Sequence, residues 1–386
     1  MNEKAIMEKI DGYYDSMIET LKSMVNIDSG MDCPEGIHEV AAIIGNFLKD
    51  LKFEVEYLET PGIATHVLAK RKGSKPDAKN VMILGHMDTV FPKGTAADRP
   101  FSMDNEKAYG PGVLDMKSGI TIALYALKAM DELEMFENNV TVLLAGDEEC
   151  GHAYTDAVEK IKEVATGQDA VFNMETGADS GSVVLSRTGI YYPEIIVEGI
   201  AAHSGKDPEK GASAIRELVF KLVDLYNFSD TDDDIAFNAG IIKGGVAANG
   251  IAAHAECYAD FRYKKVEAGP KILKAVDEIC NGKTYVPRTH TKLTLDPKRG
   301  FIPMECSEES MKLFEIVHAQ GEKVGIDIKG IAVGAGSDSC YTAVVGAPTV
   351  CAMGARGELN HGAKEYIWLY SLTEKAKVLA LSILSV

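Results

Sequence analysis

Short apolar runs alternate with helical patterns along both ends of this chain, and a different order of elements interrupts them in the middle. Val81–Leu84, Val140–Ala145 and Ala170–Phe172 are apolar runs of strand length, separated by helical spacing at Ile120–Met130 and Ala157–Val164. Upstream, Ile6, Ile10, Tyr13, Met17, Leu21 and Met24 recur every three or four residues and predict one amphipathic helix. Val40, Ile43, Ile44, Phe47, Leu48 and Leu51 predict a second. Strands that alternate with helices build a mostly parallel sheet. The rhythm resumes after Gly300, with helices near Met311–Val324, Ser339–Val345 and Glu374–Leu384 and strands near Ile331 and Thr349–Met353.

The interruption runs strand (Ile195–Val197), helix (Ile215–Val223), strand (Ile235–Ile242), strand (Ala253–Tyr263), helix (Ile272–Ile279), strand (Thr289–Leu295). That order, β-α-β-β-α-β, is the ferredoxin-like split pattern. The expected architecture is α/β: one mostly parallel sheet domain formed by residues 1–188 and 301–386, with a ferredoxin-like α+β domain, residues 189–300, inserted in its middle. A length of 386 residues suffices for such an arrangement.

Composition narrows the partners. With 58 acidic against 40 basic side chains the net charge is −18, which argues against a phosphate-binding surface and so against nucleic acid. The longest apolar stretch, Ala343–Ala355, is broken by Gly346, Pro348 and Gly354, so no membrane span is expected. The N-terminus lacks the apolar centre of a signal peptide. The cysteine count is 7, with irregular spacing and no C-x-x-C pair. A reducing, cytoplasmic setting is the expectation.

The chemistry gathers where strands end. In an open α/β sheet ligands bind beyond the carboxyl ends of the strands. Val81–Leu84 runs into Gly85-His86-Met87-Asp88, Val140–Ala145 into Gly146-Asp147-Glu148-Glu149, and Ala170–Phe172 through Asn173-Met174 into Glu175. A fourth segment, Tyr109-Gly110-Pro111-Gly112, leads through a tight turn to Asp115. Singly, each reads as well as a loop or core residue. Jointly, such carboxylates would repel and resist desolvation unless a cation neutralised them. Imidazole with carboxylate suits zinc, with cobalt or manganese as the other options. On an extended segment Glu148 and Glu149 face opposite ways, leaving one for the metal and one for a bound water.

These stretches resemble the two signature segments of the dizinc metallopeptidase and amidohydrolase family that contains glutamate carboxypeptidases, aminoacylases, tripeptidases and succinyl-diaminopimelate desuccinylases. The run Gly85-His86-Met87-Asp88-Thr89-Val90-Phe91-Pro92-Lys93-Gly94 and the tail Gly336-Ser337-Asp338 to Ala343 are similar to the carboxypeptidase G branch. The resemblance implies two zinc ions per chain: His86 and Glu175 on one, Glu149 and His361 on the other, and Asp115 bridging both. It makes Glu148 the general base and has Asp88 hydrogen-bond the His86 imidazole. It also implies a cis peptide at Asp115–Met116, a homodimer built on the inserted domain, and a water shared by the ions as nucleophile.

In the inserted domain, Ala202-His203-Ser204-Gly205 resembles the family's histidine motif, which places His203 on the oxyanion of a partner subunit. Without the resemblance it reads as a loop before a helix. Asn249 matches a substrate-holding asparagine. Arg262 has the fork that suits a terminal carboxylate, or equally a surface salt bridge. Gly334-Ala335-Gly336-Ser337 offers backbone N–H groups, with Gly336 and Ser337 as candidate substrate contacts. Neither glycine stretch completes G-x-G-x-x-G. The expected substrate is a small peptide or an N-acyl amino acid. The expected reaction is hydrolysis of an amide beside a C-terminal amino acid with a free carboxylate. Deacylation of N-acyl amino acids and a silent metal-binding scaffold are the alternatives. Arg187 stands near where glutamate-selective relatives carry a lysine.

Overall fold

The three apolar runs form the middle of a six-stranded sheet in the order Glu54–Thr60, Ala64–Arg71, Asn139–Ala145, Asn80–His86, Ala170–Asn173, Thr349–Val350. The structure is a computed structural model that describes residues 3–232, 234–296 and 300–386. The last four strands pair in parallel, and Ala64–Arg71 joins them antiparallel. The sheet is thus mostly parallel, and its four parallel strands end along one edge.

Three features depart from the sequence expectation. The N-terminal periodicity belongs to two helices, Glu3–Asp11 and Tyr14–Val25, because the chain turns at Gly12–Tyr13, where glycine is a weak helix former. The hairpin Glu54–Thr60/Ala64–Arg71 was not expected. Its first strand lies at the sheet edge with every residue at least partly exposed, so no apolar run announces it. Helix Pro34–Asp50 packs against this hairpin. Helix Ser118–Glu132 is buried from Ser118 through Leu127 and packs against Tyr370–Ser385, which closes the core. The strand Gly330–Val333 joins Val183–Arg187 in a separate two-stranded ladder rather than the main sheet.

The chain divides into two compact units, one of residues 1–186, 306–333 and 337–386, the other of residues 187–305 and 334–336. The second contains Glu194–Glu198, helix Ala214–Ser229, Ile235–Gly244, His254–Tyr263, helix Ala268–Cys280 and His290–Thr294. These four strands lie in the order Ile235–Gly244, His254–Tyr263, Glu194–Glu198, His290–Thr294, all antiparallel. Ile195, Val197, Leu218, Leu225, Ala255, Cys257, Phe261, Ile272 and Val276 form its own core. Among the described residues no helix is long and apolar enough to cross a membrane.

Candidate metal centre

Parallel pairing puts His86 level with Ala145 and Leu84 level with Asn173, so the three strands deliver His86, Glu148–Glu149 and Glu175 to the same edge. Asp115 arrives from the turn that precedes helix Ser118–Glu132. That helix can approach the sheet closely because Gly119 has no side chain: a Cβ there would lie 1.9 Å from the Met174 carbonyl oxygen. His361 comes from the loop after Gly357–Glu358. Both Leu359 (φ 65°) and His361 (φ 60°) are left-handed there, a strained conformation that the surroundings must hold. The Asp115–Met116 peptide is cis, as the family resemblance implies.

Asp115 stands between two donor sets. Its Oδ1 lies 3.1 Å from His86 Nε2, and Glu175 Oε1 lies 3.6 Å from the same nitrogen. Its Oδ2 lies 3.2 Å from His361 Nε2, which is 3.4 Å from Glu149 Oε2. His86, Asp115 and Glu149 can bring one ligand atom each within 4.8 Å of one another, and so can His86, Glu148 and Glu175. His86, Asp115, Glu148 and Glu175 are buried.

The electrostatics follow from burying several carboxylates beside two imidazoles. Burial, followed by repulsion from Glu175, Asp338 and Glu149, pushes the Glu148 carboxyl well above its ordinary range despite attraction from His86. Burial also raises Glu149. Burial opposes ionisation of Asp115, but hydrogen bonds from His361 and His86 outweigh it and hold its carboxyl low. Hydrogen bonds to Asp115 and Glu149 lift His361 to about 10. Two imidazoles are being asked to balance a ring of carboxylates. Divalent ions would do this better, and the nitrogen and oxygen donors fit zinc.

Glu148 and Glu149 each offer a carboxylate oxygen within 4.8 Å of a His86 nitrogen, and the backbone that carries them is not the one expected. Glu148–Cys150 is a 3₁₀ turn, not an extended segment. Asp88 fixes that turn: its Oδ1 accepts from Glu148 N at 3.1 Å and its Oδ2 from Glu149 N at 2.9 Å. The His86 Nδ1 meets the Asp88 backbone oxygen at 3.2 Å, closer than the 3.5 Å to its carboxylate, and either contact leaves Nε2 for a metal.

Sequence reasoning missed three supporting residues. Asn360 Nδ2 donates to Asp115 Oδ2 at 3.1 Å. Glu365, buried and raised to about 7 by that burial, accepts the N–H groups of Gly112, Leu114 and Asp115 at 3.2, 2.7 and 3.0 Å, holding the turn that presents Asp115. His152 lies between Asp147 and Asp338. Only Asn360 carried a sequence signal, its adjacency to His361.

The remaining candidates lie as follows. His203 (in Ala202–His203) pairs with Gly250, and Ser204 N donates to the Asn249 carbonyl oxygen at 3.0 Å, so His203 and Asn249 share one corner of the second unit. Arg262 is bidentate to Asp260 and donates from Nη1 to the Gly334 oxygen at 2.8 Å. Gly336 lies against Phe301, with no room for a Cβ. The Ser337 hydroxyl is buried against Asn173 and Ser339. Arg187 donates to the Ala335 and Gly336 oxygens, which commits its guanidinium to the backbone. Cys150 Sγ bonds the Asp147 carbonyl.

Comparison with known proteins places the chain among hydrolases. Residues 82–385 match the family model described as peptidase family M20/M25/M40. Carboxypeptidase G2 from Pseudomonas sp. (strain RS-16) is 32% identical over 365 residues, covering 91% of this chain and 85% of the relative. An acetylornithine deacetylase from Photorhabdus laumondii is 28% identical over 238 residues, 57% of this chain and 59% of that protein. Aminopeptidase PepT from Bacillus cereus superposes with a TM-score of 0.78 at 20% identity, covering 96% of this chain and 98% of that one, a likeness of fold.

Proposed function

The chain belongs to peptidase family M20/M25/M40 and is a hydrolase; on that premise we propose that it cleaves the amide bond next to a C-terminal amino acid whose carboxylate is free. The observation that carries this reading is the two donor sets joined through Asp115 with a buried carboxylate, Glu148, beside them. A metal-binding scaffold has no use for that carboxylate.

In this reading His86, Asp115 and Glu175 would hold one ion, and Glu149 and His361 with Asp115 would hold the other. Zinc is the preferred metal, with cobalt or manganese able to replace it. Bound there, such ions would supply an acidic water and Lewis-acid polarisation of the scissile carbonyl. Glu148 takes the proton of the attacking water on a carboxylate oxygen and returns it to the leaving nitrogen. Arg262, whose guanidinium already pairs with Asp260, receives the substrate's terminal carboxylate, assisted by backbone N–H groups of Gly336–Ser337; Asn249 helps hold the substrate. His203 donates to the oxyanion across a homodimer.

The 32% identity to a carboxypeptidase supports the peptidase side. The likeness to acetylornithine deacetylase supports a second reading, removal of the acyl group from an N-acyl amino acid by the same residues. Hydrolysis assays on dipeptides, folyl-type and N-acyl amino acids, each with a free and an amidated C-terminus, test the proposal. Cleavage confined to free carboxylates supports it; equal cleavage of the amidated set overturns it. Free thiols at Cys33, Cys257, Cys280 and elsewhere fit a reducing compartment such as the cytoplasm.

Support for the homodimer is an apolar stripe on helix Ala214–Ser229, where Ile215, Val219, Val223 and Tyr226 are exposed. The edge strand Ile235–Gly244 adds exposed Ile241 and Ile242. Val219→Asp should turn a dimer into monomers by sedimentation velocity. With His203 supplied across the interface, kcat should fall by about 10²-fold. A wild-type monomer at full activity contradicts this part of the account.

A further inference from the structure

A second group of buried charged side chains lies behind the Glu148–Cys150 turn. Asp147, His152 and Asp338 are 0%, 5% and 2% exposed. The imidazole joins the two carboxylates: Nδ1 is 2.7 Å from Asp147 Oδ1 and Nε2 is 2.6 Å from Asp338 Oδ1. Both ring nitrogens meet acceptors, so the ring satisfies them together by donating from both. Asp147 Oδ2 accepts from Thr155 Oγ1 at 2.8 Å, whereas Asp338 Oδ2 has no hydrogen-bond partner. Among the described residues, then, His152 is what ties the Asp338 carboxylate down.

The backbone is bent to make this contact. Gly151 (φ 66°) and His152 (φ 54°) are successive left-handed residues. A non-glycine residue in that conformation is strained and persists where its surroundings over-determine it. Here they do: His152 N donates to the Asp147 oxygen at 3.1 Å, and the Tyr341 ring meets the imidazole edge-on at 6.2 Å between centroids.

Asp147 immediately precedes Glu148. The turn is therefore gripped from two sides, by Asp88 through the N–H groups of Glu148 and Glu149 and by His152 through the residue before them. Asp338 in turn opens helix Ser339–Val344. We propose that His152 is a positioning residue for the hydrolysis: it clamps Asp147 to Asp338 and so fixes the direction of the Glu148 carboxylate, touching neither substrate nor ions. This rests on Glu148 being the base.

The test uses the full chain loaded with zinc. His152→Ala should lower kcat about 10- to 100-fold, the usual cost of losing such a supporting partner. KM and zinc content should hardly move. His152→Gln, which still donates to one carboxylate, should recover part of the loss. Asp338→Ala, which removes the acceptor of the His152 Nε2–H, should act like His152→Ala, and the double variant should be no worse than either alone, because both break one clamp. Wild-type kcat in His152→Ala overturns the proposal, as does a loss carried by KM or by zinc, or full additivity in the double variant. If His152→Ala does not fold, Asp338→Leu, which keeps the side-chain volume and removes the acceptor, makes the same comparison against His152→Gln. Glu148→Gln runs alongside. Activity there removes the functional reading and this proposal with it; an inert Glu148→Gln beside an unaffected His152→Ala rejects the role of His152 alone.

Discussion

Glu148→Gln is expected to lower kcat by about 10²- to 10⁴-fold, roughly 3 to 5 kcal/mol of barrier, with metal content unchanged. Glutamine keeps the shape of the side chain and removes its basicity. The turn that carries the residue stays in place, because Asp88 holds it through backbone N–H groups rather than through the Glu148 side chain. The proposed metal donors, His86, Asp115, Glu149, Glu175 and His361, are untouched. KM should change little, since the group acts on the water and on the leaving nitrogen. Steady-state kinetics with metal analysis of the same sample checks this. Near-normal turnover at full metal occupancy would move the base elsewhere.

Asp115→Ala should be more damaging, and differently so. Asp115 lies close to both imidazoles, at 3.1 Å from His86 and 3.2 Å from His361. Its removal breaks both donor sets at once, so both ions should be lost and turnover should drop below 10⁻³ of the wild type, on the order of what metal-assisted activation supplies. Stability should change in a diagnostic way. A metal held only by the folded state stabilises by about 2.7 kcal/mol at a free concentration one hundred times its Kd. Thermal melts of the wild type should therefore shift upward on adding zinc, and those of Asp115→Ala should not. An alanine variant that keeps both ions, or whose melt still responds to zinc as the wild type does, contradicts the bridging role.

Much of the site was legible because it is written locally. His86, Glu148, Glu149 and Glu175 each follow an apolar run, and parallel pairing brings the ends of such runs together whatever the loops do. What lies in folded space was not legible. Glu365 reaches Leu114 and His152 reaches Asp338 across long stretches of chain, and neither sits in a pattern of its own. Glu148 and Glu149 were expected on an extended segment, yet they lie in a 3₁₀ turn that no apolar pattern announces. The N-terminal periodicity passed through Gly12 unbroken because Tyr13 continues the apolar spacing while the backbone turns. The edge hairpin escaped because its first strand alternates glutamates with half-exposed side chains and buries no continuous run. In the second unit the periodicities were clear, but Arg262 and Arg187 already have partners that no pattern announces.

The most direct test of the central claim is reconstitution of the wild-type protein. Metal is stripped with a chelator, zinc is returned in measured increments, and hydrolysis of a substrate with a free C-terminal carboxylate is followed at each step. The account predicts no turnover without metal and a rate that rises and levels off at two zinc per chain. Full activity in the stripped protein, or a plateau reached with a single ion, would contradict it.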